Sequence, residues 1–160
     1  MKKIGVISDT HIPAAAGALP CAVAARFKGV DLILHAGDLV RLSVIDELEL
    51  IAPVKAVQGN MDVTIGGVHP LKRIVEVEDA RIGLIHGWGA PYDLHMRVRA
   101  EFEDVDCIVF GHSHQPFKEY FNGVLMFNPG SPTDRRFAPY NSIGMLTVDG
   151  GAVSAEIIEI

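Results

Sequence analysis

The sequence predicts an α/β fold of mixed parallel and antiparallel sheets, and three observations carry that prediction. Over the first sixty residues, short apolar runs alternate with helical stretches, which is the pattern of βαβ units. Beyond residue 70 the runs pair around polar turns, including Asn122-Gly123 and Asp149-Gly150-Gly151, which suits antiparallel hairpins. Finally, separate apolar runs stop abruptly at Asp, Asn or His.

Taken in order, Lys3 to Ser8 reads as a buried strand that enters at once on Asp9-Thr10-His11. A Pro/Ala/Gly loop, Ile12 to Leu19, leads into a helix over Pro20 to Lys28. Asp31 to His35 is a second strand, ending in Gly37-Asp38. A helix follows from Ser43 to Ile51, with Ser43 as its cap and Asp46 and Glu47 in the first turn. Val54 to Val57 is a third strand, ending in Gly59-Asn60. After a loop from Met61 to Pro70, Arg73–Val77 and Arg81–Ile85 form a pair, and the second enters His86-Gly87. Tyr92 to Glu103 reads as helical, with Pro91 suited to its first turn. Cys107–Phe110 is a buried strand ending in Gly111-His112-Ser113-His114, and the remainder is strand and turn. There are no repeats, low-complexity tracts or linkers, so residues 1–160 read as one domain.

Composition narrows the function. At 160 residues the chain can enclose a core, and 49% hydrophobic with 21% charged residues is a globular balance. A net charge of −6 repels the phosphate backbone, which disfavours long duplex nucleic acid. No apolar run approaches the ~20 residues of a membrane span, and Asp9 and His11 interrupt the stretch after Lys2-Lys3 too early for a signal peptide. Cys21 and Cys107 lack zinc or redox spacing and read as reduced, buried thiols of a cytoplasmic protein.

The strand ends carry the chemistry. Asp9/His11, Asp38, Asn60, His86 and His112/His114 each follow an apolar strand, and the carboxyl ends of strands in open α/β sheets line a common crevice. The spacing of two within Asp9/His11 and within His112/His114 points both side chains the same way if strand geometry persists. Gly37, Gly59, Gly87 and Gly111 adjoin these residues, where glycine permits tight turns and close backbone approach. Each piece alone is ordinary: Gly-Asp is common turn chemistry, and a lone His usually belongs to the core. The ordered set is what points to a metal site. Its mixture of carboxylate, amide and imidazole suits Mn²⁺, Fe, Co, Ni or Zn²⁺ better than Ca²⁺ or Mg²⁺.

This set, Asp9-x-His11, Gly37-Asp38, Gly59-Asn60, His86-Gly87 and Gly111-His112-x-His114, resembles the calcineurin-like metallophosphoesterase superfamily. The short length and Asn128-Pro129-Gly130-Ser131 resemble its small YfcE-type phosphodiesterase branch. The resemblance spans essentially the whole chain and implies a four-layer αββα sandwich. It also implies two divalent metal ions, Mn²⁺ foremost. One would be held by Asp9, His11 and His114, the other by Asn60, His86 and His112, with Asp38 bridging. Two such ions, ~3.5–4 Å apart, clamp the attacking and leaving oxygens of an in-line displacement, and a bridging hydroxide attacks phosphorus. Asp9 and Asp38 offset only two of the four positive charges, so the site still attracts a phosphate anion. Asn60 and His112 are expected to help orient the phosphoryl oxygens, making them the catalytic candidates of the set.

The expected substrate is a small phosphate ester, a phosphodiester first. Many larger relatives carry a His after the Gly-Asn pair, proposed to protonate the leaving group, whereas this chain has Met61, followed by Asp62. Two rival readings stay open. The same fold resembles a subunit of the retromer trafficking complex, a scaffold with a degraded metal site, and a phosphomonoesterase or nuclease would use similar residues. Rossmann and P-loop glycine fingerprints are absent from the sequence.

The other candidates are weaker. His35 lies in an apolar strand and reads as core; His69 and His95 read as surface residues. The Ile12–Leu19 loop is a connector or a mobile lid. Arg135, beside Arg136, is a candidate for binding substrate phosphate, because arginine is the favoured phosphate fork. Homo-oligomer formation is left open by the sequence.

Overall fold

The computed structural model describes residues 1–160, apart from the side chain of Thr64. Ten strands and three short helices occur in the order β1 (Lys2–Ile7), α1 (Cys21–Arg26), β2 (Leu32–His35), α2 (Ser43–Glu49), β3 (Val54–Ala56), β4 (Lys72–Val77), β5 (Ala80–Ile85), α3 (Leu94–Arg99), β6 (Cys107–Val109), β7 (Phe117–Phe121), β8 (Val124–Asn128), β9 (Ser142–Asp149) and β10 (Ala152–Glu159). A 3₁₀ turn, Asp62–Ile65, follows β3.

The strands form two five-stranded mixed sheets, ordered β10-β9-β1-β2-β3 and β4-β5-β6-β8-β7. In the first, β1, β2 and β3 run parallel while β9 and β10 are antiparallel to them or to each other. In the second, β5, β6 and β8 run parallel, and β4 and β7 close the edges as antiparallel neighbours. Both hairpin expectations hold: β7–β8 turns at Asn122-Gly123 and β9–β10 at Gly150-Gly151.

Three apolar layers explain the stacking. One, including Ile4, Val6, Leu34, Ile82, Leu84, Val109 and Phe127, fills the space between the two sheets. A second, with Ile7, Val23, Phe27, Ile33, Val44 and Leu48, seats α1 and α2 on the outer face of the first sheet. The third, with Leu94, Val98, Phe102, Ile108 and Met126, seats α3 on the outer face of the second. The αββα sandwich is therefore the arrangement that buries both faces of each sheet. It also explains why the central strands are continuously apolar: parallel strands covered on both sides have no solvent face for alternation. Among the described residues no helix is long and apolar enough to cross a membrane.

Several local expectations change. The helix expected over Tyr92–Glu103 is confined to Leu94–Arg99, because Asp93 adopts a left-handed φ of 56° and leaves Pro91 outside it. Ser43 opens α2 without capping it; Leu42 holds that position and no side chain caps the end. Cys21 is exposed on α1, whereas Cys107 is buried in the sheet interior, as expected. His95 is half-buried rather than on the surface, stacked on Phe117 at 5.1 Å between ring centroids and edge-on to Phe121.

Phe27 is fully buried between α1 and the first sheet. Phe27→Ala should lower unfolding free energy by about 3–5 kcal/mol. Urea denaturation measures this directly; a midpoint indistinguishable from the parent protein would contradict the packing described.

Candidate metal centre

The parallel strands of the two sheets end on the same side of the molecule, and their C-terminal loops are stitched together across the sandwich. Asp9 N donates to Gly37 O at 3.0 Å, His11 N to Asp38 O at 3.0 Å, and Gly111 N to His86 O at 3.0 Å. All seven candidate residues converge there. His11 Nε2 lies 3.2 Å from His114 Nε2, 3.4 Å from Asp38 Oδ2 and 3.8 Å from Asp9 Oδ1. His86 Nε2 lies 3.2 Å from Asp38 Oδ2 and 3.0 Å from Asn60 Oδ1. His112 Nδ1 completes the group, 3.3 Å from Asn60 Oδ1.

The expectation that each x-y-x pair keeps strand geometry is not met. β1 ends at Ile7 and β6 at Val109, and Asp9, His11, Asp38, His112 and His114 all have left-handed φ, between 43° and 70°. Left-handed backbone is unfavourable for residues with a Cβ and concentrates at functional sites. Here it turns the side chains inward after the strands have stopped. Two of the neighbouring glycines serve a different need. A Cβ on Gly111 would sit 1.9 Å from Ser8 Oγ, and one on Gly59 would sit 2.1 Å from Asp38 Oδ1. Only a bare backbone lets these loops approach so closely.

Three imidazoles are oriented from behind. His86 Nδ1 meets Ala36 O at 2.8 Å, His112 Nε2 meets Gly89 O at 2.8 Å, and His114 Nδ1 meets Asp134 O. A carbonyl can only accept, so each of these outer nitrogens carries the proton and donates it. In the neutral ring the inner nitrogen is then a bare lone pair facing the other donors, the arrangement in which histidine binds metals.

The carboxylates are held ionised. Burial opposes charge on Asp9, yet the hydrogen bond with His11, the charges of His86 and His114 and the Ser8 hydroxyl outweigh it, holding the pKa down at about 2. Asp38 is also lowered: burial opposes this, but His86 and the Met61 N–H, at 2.8 Å, prevail. The same carboxylates raise His86 to about 9 against the opposing effect of its burial. For His114, burial wins over the Asp9 charge and lowers the pKa, which favours the neutral ring. Asp9, His11 and His114 form one buried set of possible ligand atoms within 4.8 Å of one another, and Asp9, Asp38 and His86 form another. The donor set therefore fits divalent cations, with carboxylates charged and imidazoles aimed.

The residue most underrated by sequence reasoning is Asp62. It is buried, and its carboxylate accepts three main-chain N–H groups: Asp38 at 2.8 Å, Val40 at 2.7 Å and Gly59 at 2.8 Å. It thereby clamps the Asp38 loop, including the β-branched Val40 at φ 71°, to the Gly59-Asn60 loop. Asn128-Pro129-Gly130-Ser131 plays the matching part on the other side. Asn128 Nδ2 donates to Gly111 O at 2.9 Å, and Ser131 Oγ donates to Asp9 O at 2.8 Å. His35 is fully buried; Gly37 N donates to its Nδ1 at 3.1 Å, so its Nε2–H faces the Thr10 hydroxyl at 3.2 Å, and burial lowers its pKa to about 3. It stays neutral as a strut beneath the Asp38 loop. Arg135 is exposed and donates to Pro139 O at 2.7 Å, whereas Arg136 lies 3.7 Å from Asp134 Oδ2.

The comparisons with known proteins agree with this geometry. Residues 1–151 match the model of the calcineurin-like phosphoesterase superfamily domain. The chain belongs to that superfamily. It is 45% identical over 157 residues to a probable metallophosphoesterase of Methanothermobacter thermautotrophicus, covering 97% of this chain and 91% of that one. It is 32% identical over 146 residues to a phosphodiesterase of Methanocaldococcus jannaschii, covering 80% and 82%. Among solved structures, wild-type Vps29 of Entamoeba histolytica complexed with Zn²⁺ superposes with a TM-score of 0.76 at 25% identity over 98% of each chain.

Asp62→Ala leaves three N–H groups without their acceptor, of which the two buried ones, of Asp38 and Gly59, cost about 1–3 kcal/mol each. The variant should unfold at clearly lower urea concentration and bind less metal per chain by elemental analysis. Parent-like values on both counts would remove Asp62 from this role.

Proposed function

We propose that this superfamily member hydrolyses small phosphate esters, phosphodiesters first, using two divalent cations among which Mn²⁺ is the foremost expectation. The observation that carries the reading is the set of three histidines whose outer N–H groups are spent on backbone carbonyls, with the inner nitrogens of His86 and His114 facing two ionised aspartates and that of His112 facing Asn60 Oδ1. Two buried carboxylates ringed by imidazoles oriented from behind match a cation-binding donor set, in which metal would replace the proton that His86 holds below about pH 9. Asp9, His11 and His114 would hold one ion, and Asn60, His86 and His112 the other. Asp38 would lie between them, in keeping with its Oδ2 at 3.4 Å from His11 and 3.2 Å from His86. Asp9 Oδ1, at 3.5 Å from His114 and 3.9 Å from His86, lies close to both groups as well. Bound ions supply Lewis-acid stabilisation of charge developing on a phosphoryl group.

The chain's own residues do the rest. Asn60 and His112 are the least buried of the seven and face outward, where they would orient phosphoryl oxygens. Ser8 and the His112 N–H hold Asp9 in place, at 2.8 and 3.0 Å. Met61, half exposed beside Asn60, offers no proton to a leaving group. A second reading, a partner-recruiting scaffold, draws on the likeness to Vps29; it predicts no turnover even where metal binds. The free cysteines fit a reducing, cytoplasmic setting.

Chelator-treated protein reloaded with Mn²⁺, Ni²⁺, Co²⁺, Zn²⁺ or Mg²⁺ and assayed on mono- and diesters tests the proposal. Two ions per chain and metal-dependent turnover are expected, and Asp38→Ala should lose both; full turnover in that variant would refute the ligand assignment. Without a proton donor at Met61, esters with good leaving groups should react faster, so aryl diesters should exceed alkyl diesters. Equal rates would mean that another group supplies the proton.

Metal uptake should also depend on pH. The metal-free fold raises His86 from the ordinary 6.5 to about 9, so below that pH a proton occupies the ligand and must leave when metal binds. Apparent affinity should rise as pH increases toward 9 and level off above it. Isothermal titration across pH 6–9 would show this, and a flat profile would exclude His86 as a ligand. In the metal-free protein the same shift has the opposite sign for stability: the contribution is full below pH 6.5 and is lost as pH rises through about 9.

A further inference from the structure

Beside the centre lies a cavity of about 520 Å³, within the range of small-molecule sites. Asn60 and His86 are among its lining residues, so it adjoins the proposed metal ligands. Its walls are apolar, built by Val63, Leu71, Ile85 and Trp88. Val63 is 69% exposed, Leu71 72% and Trp88 45%, although none of them packs into the three core layers. Apolar side chains left in water around one concavity mark a binding surface more often than a packing accident.

The far end of the cavity decides what could enter. Lys72 lies there, but its ammonium is paired with Glu101 Oε2 at 2.8 Å and donates to Glu101 O at 3.1 Å. A cation already neutralised does not hold a second phosphate, which disfavours a diphosphate or an extended polyanion. The Trp88 wall is held in place. Arg97, on α3, donates to Trp88 O at 3.2 and 3.1 Å, to Tyr92 O at 2.9 Å, and to Ala90 O, while Gly89 O takes the His112 N–H. The loop that orients a proposed ligand therefore also carries Trp88.

We propose that this cavity is a substrate subsite for one flat, apolar ester substituent, lined by Val63, Leu71, Ile85 and Trp88, and that it selects aryl-substituted phosphodiesters. The inference rests on the phosphoesterase reading and adds the substrate class to it. The shared wall formed by Asn60 and His86 identifies the occupant as substrate rather than a partner chain: a group in the cavity is in contact with the reacting centre. Trp88 provides an aromatic ring for stacking, and Leu71 and Val63 add aliphatic surface to the same cavity. Arg97 is a positioning residue, acting through the 88–92 loop.

Trp88 is the only tryptophan in the chain, so its fluorescence reports on this cavity alone. With metal-loaded protein, phenylphosphonate should change Trp88 emission and saturate at concentrations at least tenfold below methylphosphonate. Leu71→Ser, at an exposed position outside the core, should erase most of that difference without altering the unfolding midpoint. Equal responses to the two phosphonates, or an unaltered preference in Leu71→Ser, would overturn the proposal. Kinetics give a second arm: p-nitrophenyl phosphodiesters whose other substituent is phenyl or methyl share one leaving group. Their intrinsic reactivity difference is the same for parent and variant, so a phenyl-to-methyl ratio in kcat/KM that falls at least fivefold in Leu71→Ser and Trp88→Ala reads the subsite; an unmoved ratio overturns it. If neither ester turns over with any metal, the hydrolase reading fails, and the fluorescence titration still decides the subsite. An emission shift that follows protein concentration without ligand, together with a dimer in sedimentation, would assign the surface to a second copy and overturn the subsite.

Discussion

Two buried carboxylates facing one cluster of imidazoles are the constraint on which this structure depends. Asp9 and Asp38 end neighbouring parallel strands, and both are almost inaccessible to water. Burying one carboxylate is costly, and burying two side by side adds repulsion. The protein meets that cost with oriented donors: Ser8 and the His112 N–H on Asp9, the Met61 N–H on Asp38, and imidazoles around both. What remains is a cluster of carboxylate and imidazole ligand atoms directed at a common centre, with His86 holding a proton below about pH 9 that a cation would displace. A divalent cation matches such a cluster electrostatically, which is why the donor set could hold metal.

Holding the set requires backbone that strands cannot supply. Five of the seven candidate ligands have left-handed conformations, each unfavourable on its own. The strain is offset by bonds made elsewhere. Asp62 gathers three N–H groups from two loops, and Asn128 and Ser131 bind the loops of the opposite sheet. The rigid sandwich beneath supplies the anchor, since the strands delivering these loops lie between apolar layers on both faces. The asymmetry of the surroundings then matters for function. On the His11 and His114 side the neighbouring hollow is lined by Ala14, Ala15, Thr133 and Asp134, whereas the Asn60 and His86 side opens onto apolar walls.

Much of the fold could be read from the sequence because the signals were local. Strand order along the chain, the hairpin turns and the seven donors all appear as short patterns, and periodic apolar runs need no knowledge of their partners. Errors arose where one residue's conformation overrode a pattern. Asp93 truncates a helix that propensity extends to Tyr92, and the inward aim of His11 and His114 comes from φ angles rather than from strand pleat. Asp62 stayed in the background because its importance lies in three acceptor bonds to residues distant in sequence or across a turn, and no residue type announces that.

The sequence by itself determined which donors exist and that each follows an apolar strand, because binary patterning and turn chemistry are written residue by residue. Tertiary structure alone decided which ring nitrogen of His86, His112 and His114 faces inward, since that depends on carbonyls of Ala36, Gly89 and Asp134 brought from other strands and loops. It likewise decided that Val63, Leu71 and Trp88 share one cavity with Asn60 and His86. Proximity between remote segments is set by how two sheets stack, and stacking is a property of the whole chain.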